Sequence, residues 1–205
     1  MADTKKISGI SYPADPKALL QHSDLKSLFR AYAKQIYCDE NITFIEAVEK
    51  RYDPKVLYKG FISTDAQLQV NLPSSIREPA DALARRAETD PEAWKDREWR
   101  DIIKDAWDNI YGILTTDTVP GFYNSKVFGA YHEAALRKKL VGVDKAAKVL
   151  GIKDVKTLTE LAFQIRLDGA DSAKAKALSE KLIKQEKLSM KTDAMVAGLK
   201  KAGFL

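Results

Sequence analysis

Apolar residues recur at three- and four-residue steps along most of the chain, the spacing of amphipathic helices. Leu25, Leu28, Phe29, Tyr32 and Ile36 follow a Ser23-Asp24 cap signal, and Ile42, Ile45 and Val48 follow Asp39. The Asp53-Pro54 break then places Pro54 in the first turn of a helix carrying Val56, Leu57, Tyr58, Phe61 and Ile62. Residues 66–72, AQLQVNL, alternate weakly but have no partner strand, so they read as an extended loop. Ser74–Thr89 predicts a helix interrupted at Pro79, and Asp90-Pro91 restarts one to Leu114 with Trp94, Trp99, Ile102, Ile103, Trp107, Ile110 and Tyr111. A further helix is expected from Phe122 to Lys139, and shorter ones over 144–150, 154–167, 171–187 and 192–202. Gly151 and Gly169 stand at expected C-terminal stops. The pattern predicts an all-α protein.

Composition narrows the class. The chain has 205 residues, 45% of them apolar and 31% charged, which suits one large domain or a domain with an appendage. A single cysteine, Cys38, excludes a disulfide framework and a cysteine zinc site, and two histidines, His22 and His132, leave no His-rich metal site. The N-terminal residues lack the apolar stretch of a signal peptide, and no run approaches a membrane span, so a cytoplasmic protein is expected. Charge changes the picture at the C-terminal end. Residues 134–205 hold 16 Lys+Arg against 8 Asp+Glu, net +8, whereas residues 1–133 hold 18 against 21, net −3, which together give the chain's +5. This asymmetry points to a basic appendage suited to an anionic partner such as a membrane surface.

Catalytic chemistry is hard to find. There is no phosphate-binding G-x-x-x-x-G-K-[ST] string, no pairing of carboxylates by spacing, and no nucleophile beside a base. No intrinsic catalytic residue, metal site, cofactor or small-molecule substrate is expected.

Four short strings do carry information. They are Leu25-x-x-Leu28-Phe29-Arg30-x-Tyr32; Tyr37-Cys38-Asp39-Glu40-Asn41-Ile42-x-Phe44; Leu57-Tyr58-x-x-Phe61-Ile62 followed by Val70-Asn71-Leu72; and Leu114-Thr115-Thr116-Asp117-Thr118 with Pro120-x-Phe122-x-x-Ser125-x-x-Phe128. In this order they resemble the regulator of G-protein signalling (RGS) family over residues about 19–131. The resemblance implies an RGS-like all-α bundle of about nine helices, here with an additional C-terminal helical segment. The expected organisation is an N-terminal extension (1–18), an RGS-like helical domain (19–140) and a basic helical C-terminal subdomain (141–205).

The resemblance also implies a partner: the GTP-loaded Gα subunit of a heterotrimeric G protein, whose GTP hydrolysis such domains accelerate. Gα carries its charge-stabilising Arg in cis, so the activator need only hold the switch segments near their transition-state geometry. By the same resemblance, Glu40 and Asn41 contact the switches, Asn71 reaches toward the catalytic Gln of Gα, and Ile113, Asp117 and Thr118 engage the first switch. Four departures set this chain apart. Gly121 stands where the family usually has an Arg supporting the Asp, Ile45 replaces a Trp, the connection between Glu49 and Tyr58 is several residues shorter, and the stretch from Asn71 to Ile103 is about ten residues longer. They motivate an alternative, an RGS-fold scaffold without GTPase-activating activity. Nucleic acid is the less favoured partner of the basic segment, because its lysines are dispersed and it carries only two aromatics, Phe163 and Phe204.

Overall fold

The computed structural model describes residues 4–205. Their chain begins with a feature absent from the helical pattern, a hairpin of β1 (Thr4–Ile7) and β2 (Ile10–Pro13). The connecting residues Ser8 and Gly9 both adopt left-handed backbone, with φ of 47° and 78°. Two such residues make the tight turn whose twist matches paired strands, and glycine takes the second at no steric cost. The segment read as a plain extension therefore holds a short two-stranded sheet. Strands of four residues give too few alternations to be recognised by periodicity.

All other regular structure is helical. The helices are α1 (Pro16–Gln21), α2 (Leu25–Gln35), α3 (Asp39–Glu49), α4 (Pro54–Leu57), α5 (Ser74–Thr89), α6 (Arg97–Ile113), α7 (Val119–Tyr123), α8 (Lys126–Lys138), α9 (Val143–Leu150), α10 (Val155–Asp168), α11 (Ala173–Glu186) and α12 (Thr192–Lys201). Contacts divide the chain into two units, one built on Pro13–Phe128 and the other on Lys6–Tyr12 with Gly129–Leu205. No helix among the described residues is long and apolar enough to cross a membrane.

In the first unit the apolar faces of α2, α3, α6 and α7 close around Phe29, Phe44, Ile45, Ile110 and Phe122, each at most 1% exposed. Phe29 and Phe128 meet the Phe122 ring edge-on, both with centroids 5.4 Å away, the favoured aromatic geometry. Ile45, in place of the family's Trp, is 1% exposed, so the smaller side chain is fully enclosed.

Local chemistry moves several boundaries. The cap of α2 comes from His22, whose Nδ1 accepts from the backbone N–H groups of Asp24 and Leu25 at 3.2 and 3.3 Å; the Asp24 side chain makes no capping bond. Pro79 does not interrupt α5, which runs straight through it. Its missing N–H would have served Ser75, and both residues are exposed, so water can take the freed carbonyl. The helix expected from Asp90 splits into a 3-10 turn (Pro91–Lys95) and α6, divided at Asp96. Likewise Ser125 ends α7 and begins α8, donating to the Phe122 carbonyl at 2.6 Å and accepting from the Phe128 N–H at 3.2 Å.

The second unit has its own core. Leu136, Leu140, Leu158, Leu161, Ala162, Leu182, Met195 and Leu199 are all at most 3% exposed. Gly198 lets α12 approach α9 closely, since a Cβ there would lie 2.5 Å from Leu150 Cδ2. Tyr12 and His132 form a buried polar pair, Oη to Nδ1 at 2.8 Å. Burial and the neighbouring Tyr131 push the Tyr12 phenol up to about 12, so it stays protonated; burial lowers the His132 imidazole.

Candidate protein-interaction surface

The corner between α2 and α3 is a tight helix stop. Cys38 N–H bonds the Ala33 carbonyl at 3.0 Å and Tyr37 N–H bonds that of Lys34 at 3.3 Å, with Tyr37 left-handed at φ 54°. That is the Schellman arrangement, whose left-handed position normally belongs to glycine. Tyr37 occupies it and is 91% exposed. Placing a tyrosine there costs about 1–2 kcal/mol, and no packing of the side chain offsets it.

Just past this corner lie two of the expected contact residues. Glu40 is half-buried in the first turn of α3, and burial pushes its carboxyl above the usual range, aided by neighbouring Asp39 and opposed by a backbone hydrogen bond. Asn41 is 6% exposed, and its Oδ1 finds no hydrogen-bond partner among the described residues.

The second strand of the surface comes from the end of α6. There the helix loosens into a π-helical turn, Leu114–Thr118, before α7. Thr115 and Thr116 return their hydroxyls to the carbonyls of Tyr111 and Gly112, at 2.8 and 2.9 Å, a back-bonding that bends helices. The result leaves Ile113 half-buried, Asp117 exposed and Thr118 2% exposed.

Cys38 joins the two pieces. Burial raises its thiol, Thr118 opposes that, and Glu40, Asp39 and Asp117 all add to the rise. A thiol held protonated among carboxylates is a packing group, not a nucleophile. Tyr32 borders the same cluster, its phenol raised by burial, then by Cys38 and Asp117. A Cβ at Gly121 would overlap the Tyr32 hydroxyl and stand 3.3 Å from Cζ. The position that usually carries an Arg is thus filled from α2 by a phenol. Glu40 and Asp117 both bear electrostatically on Cys38, and Asn41 shares a helical turn with Glu40.

Asn71 stands exposed on a separate loop. That loop follows a second π-helical turn, Tyr58–Ile62, and is tied back by Val70 N–H to the Phe61 carbonyl at 2.9 Å. Phe61 in turn meets Phe44 of α3 edge-on at 5.6 Å. Arg77 of α5 clamps both ends of the loop, donating to the Ile62 and Val70 carbonyls at 3.1 and 3.0 Å. The structural roles of Arg77, Tyr32 and Tyr37 escape a sequence reading. A lone Arg within a polar helical stretch gives no sign that it reaches backward to two carbonyls.

The three tryptophans, read as positions of one helix, are buried to different degrees. Trp99 is core, but Trp107 is only half-buried and stacks on Tyr111 at 4.5 Å; Trp94 stacks on Trp99 at 5.0 Å. The three indole rings border a groove of about 710 Å³ that also includes Tyr52, Leu57 and Ile103. None of the six expected contact residues lines it. No group of three or more metal-ligating side chains occurs among the described residues.

Residues 15–131 match the family described as the Regulator of G protein signaling domain. This span includes all four motifs and all six contact positions, and covers more than half of the 205 residues. The chain belongs to the family of regulator of G protein signaling domains.

Proposed function

We propose that this protein binds the GTP-loaded form of a Gα subunit and accelerates GTP hydrolysis by holding its switch segments, contributing no catalytic group of its own. The observation that carries this reading is that Glu40 and Asp117, from separate segments, both bear electrostatically on the half-buried thiol of Cys38, with Thr118 buried next to Asp117. Core packing alone does not call for carboxylates from two separate segments to bear on one thiol. Glu40 accepts from switch N–H groups, Asp117 and Thr118 engage the first switch, and Asn71 orients the catalytic Gln through an amide that both donates and accepts.

A second reading rests on Gly121. No ion pair reaches Asp117 among the described residues, and position 121 offers no side chain to support it. An RGS-fold scaffold that binds a protein partner without activating a GTPase is consistent with that weakened point.

Single-turnover GTP hydrolysis by a panel of purified Gα subunits, with and without this protein, separates the two. Acceleration establishes the first reading. Binding to the transition-state-mimicking form without acceleration establishes the second. Neither binding nor acceleration overturns both as far as Gα is the partner.

A further inference from the structure

The second unit carries a concentrated exposed surface at the α8–α9 corner. Helix α9 turns Val143, Ala146 and Ala147 into the core, with Ile152 buried just beyond its end. Its outward face holds Lys145, Lys148 and Val149, related by three- and four-residue steps. Val149 is 87% exposed, and Val141 at the corner is 82% exposed. Lys138 and Lys139 precede them, both exposed, and Asp144 is the one carboxylate within this stretch.

Two valines so fully in water, eight residues apart and set among four lysines, combine the two signals that peripheral membrane binding needs. Apolar side chains enter the headgroup boundary, and cations are drawn to anionic lipid. The arginines of the unit are committed elsewhere. Arg137 pairs with Glu160 at 3.2 Å and lies over the Phe163 ring at 4.0 Å, and Arg166 donates to the Phe204 carbonyl at 2.5 Å. Phe163 is buried and Phe204 is half-buried, which leaves little aromatic surface for stacking bases. Lysines with aliphatic neighbours favour a bilayer over a nucleic acid.

We infer that the α8–α9 corner and the outer face of α9 form a docking surface for an anionic lipid bilayer, with Lys138, Lys139, Lys145 and Lys148 as its charge and Val141 and Val149 as its inserted groups. This surface is independent of the RGS contact residues and of whether a Gα partner exists.

Co-sedimentation of the full chain with phosphatidylcholine vesicles containing about one-third phosphatidylserine tests it. The chain should pellet with these vesicles, release as salt rises, and stay in solution with phosphatidylcholine alone. Lys145→Glu with Lys148→Glu should lower partitioning at least tenfold, and Val141→Asn with Val149→Asn should lower it while leaving the salt dependence unchanged. All four positions are exposed, and circular dichroism of each variant checks that the fold persists. Failure to pellet with anionic vesicles would overturn the inference, as would lysine variants that bind like the parent. Valine variants that bind like the parent would equally remove the insertion. Tight duplex DNA binding through the same lysines, without a vesicle response, would assign the surface to nucleic acid instead.

Discussion

The Tyr32 hydroxyl occupies the space that a side chain at Gly121 would need. The two residues lie on different helices, 89 positions apart, and each explains the other: the glycine leaves room, and the phenol fills it beside Asp117.

Gly121→Ala should destabilise the first unit by about 1–3 kcal/mol, the usual cost of overpacking. In a Tyr32→Phe background the same change should cost less, because the overlapping oxygen is gone. A double-mutant cycle from urea unfolding reads the coupling, and additive effects would show that the contact carries no energy.

Arg77→Met should loosen the loop bearing Asn71. Both hydrogen bonds come from a charged donor at a half-buried site, so a loss of about 1.5–3 kcal/mol is expected. Hydrogen exchange at the Val70 and Leu68 amides should quicken, and unchanged protection there would place the loop's restraint elsewhere.

Replacing Tyr37 with glycine relieves the left-handed backbone at the α2–α3 corner. Stability should hold or rise by about 1 kcal/mol in thermal unfolding. If the exposed ring is a partner contact, binding to the activated Gα should fall at the same time. A rise in stability with unaltered binding would mark the strain as without functional use.

For the proposed GTPase activation, Asn71→Ala should leave the melting temperature unchanged, since the side chain is exposed. Acceleration of single-turnover hydrolysis should drop at least tenfold. Equal acceleration would remove Asn71 from the mechanism.

The second unit should lose stability as pH falls. Burial lowers the His132 imidazole, so the folded state binds fewer protons there than the unfolded chain, where histidine titrates near 6.5. The folded form is favoured fully above that value, and its advantage declines as pH drops through 6.5 toward the lowered folded value. His132→Gln should flatten this slope in urea midpoints measured from pH 7.5 to 5.5, while an unchanged slope would assign it to another group.

The sequence by itself determined most of the helices, because a helix is written locally in the spacing of its buried residues. Leu25, Phe29 and Ala33 repeat at the helical step, and Pro54, Gly151 and Gly169 mark ends through backbone preferences that need no distant partner. It also carried the family, since Glu40, Asn41, Asn71, Asp117 and Thr118 sit within motifs of fixed local order. Tertiary structure decided the rest. The β1–β2 hairpin is too short to show its alternation, and continuity through Pro79 depends on which side of α5 faces water. The Arg77 clamp and the Tyr32–Gly121 fit join residues 15, 7 and 89 positions apart. Such contacts arise only when helices pack, and no local spacing encodes which phenol will fill the space beside which glycine.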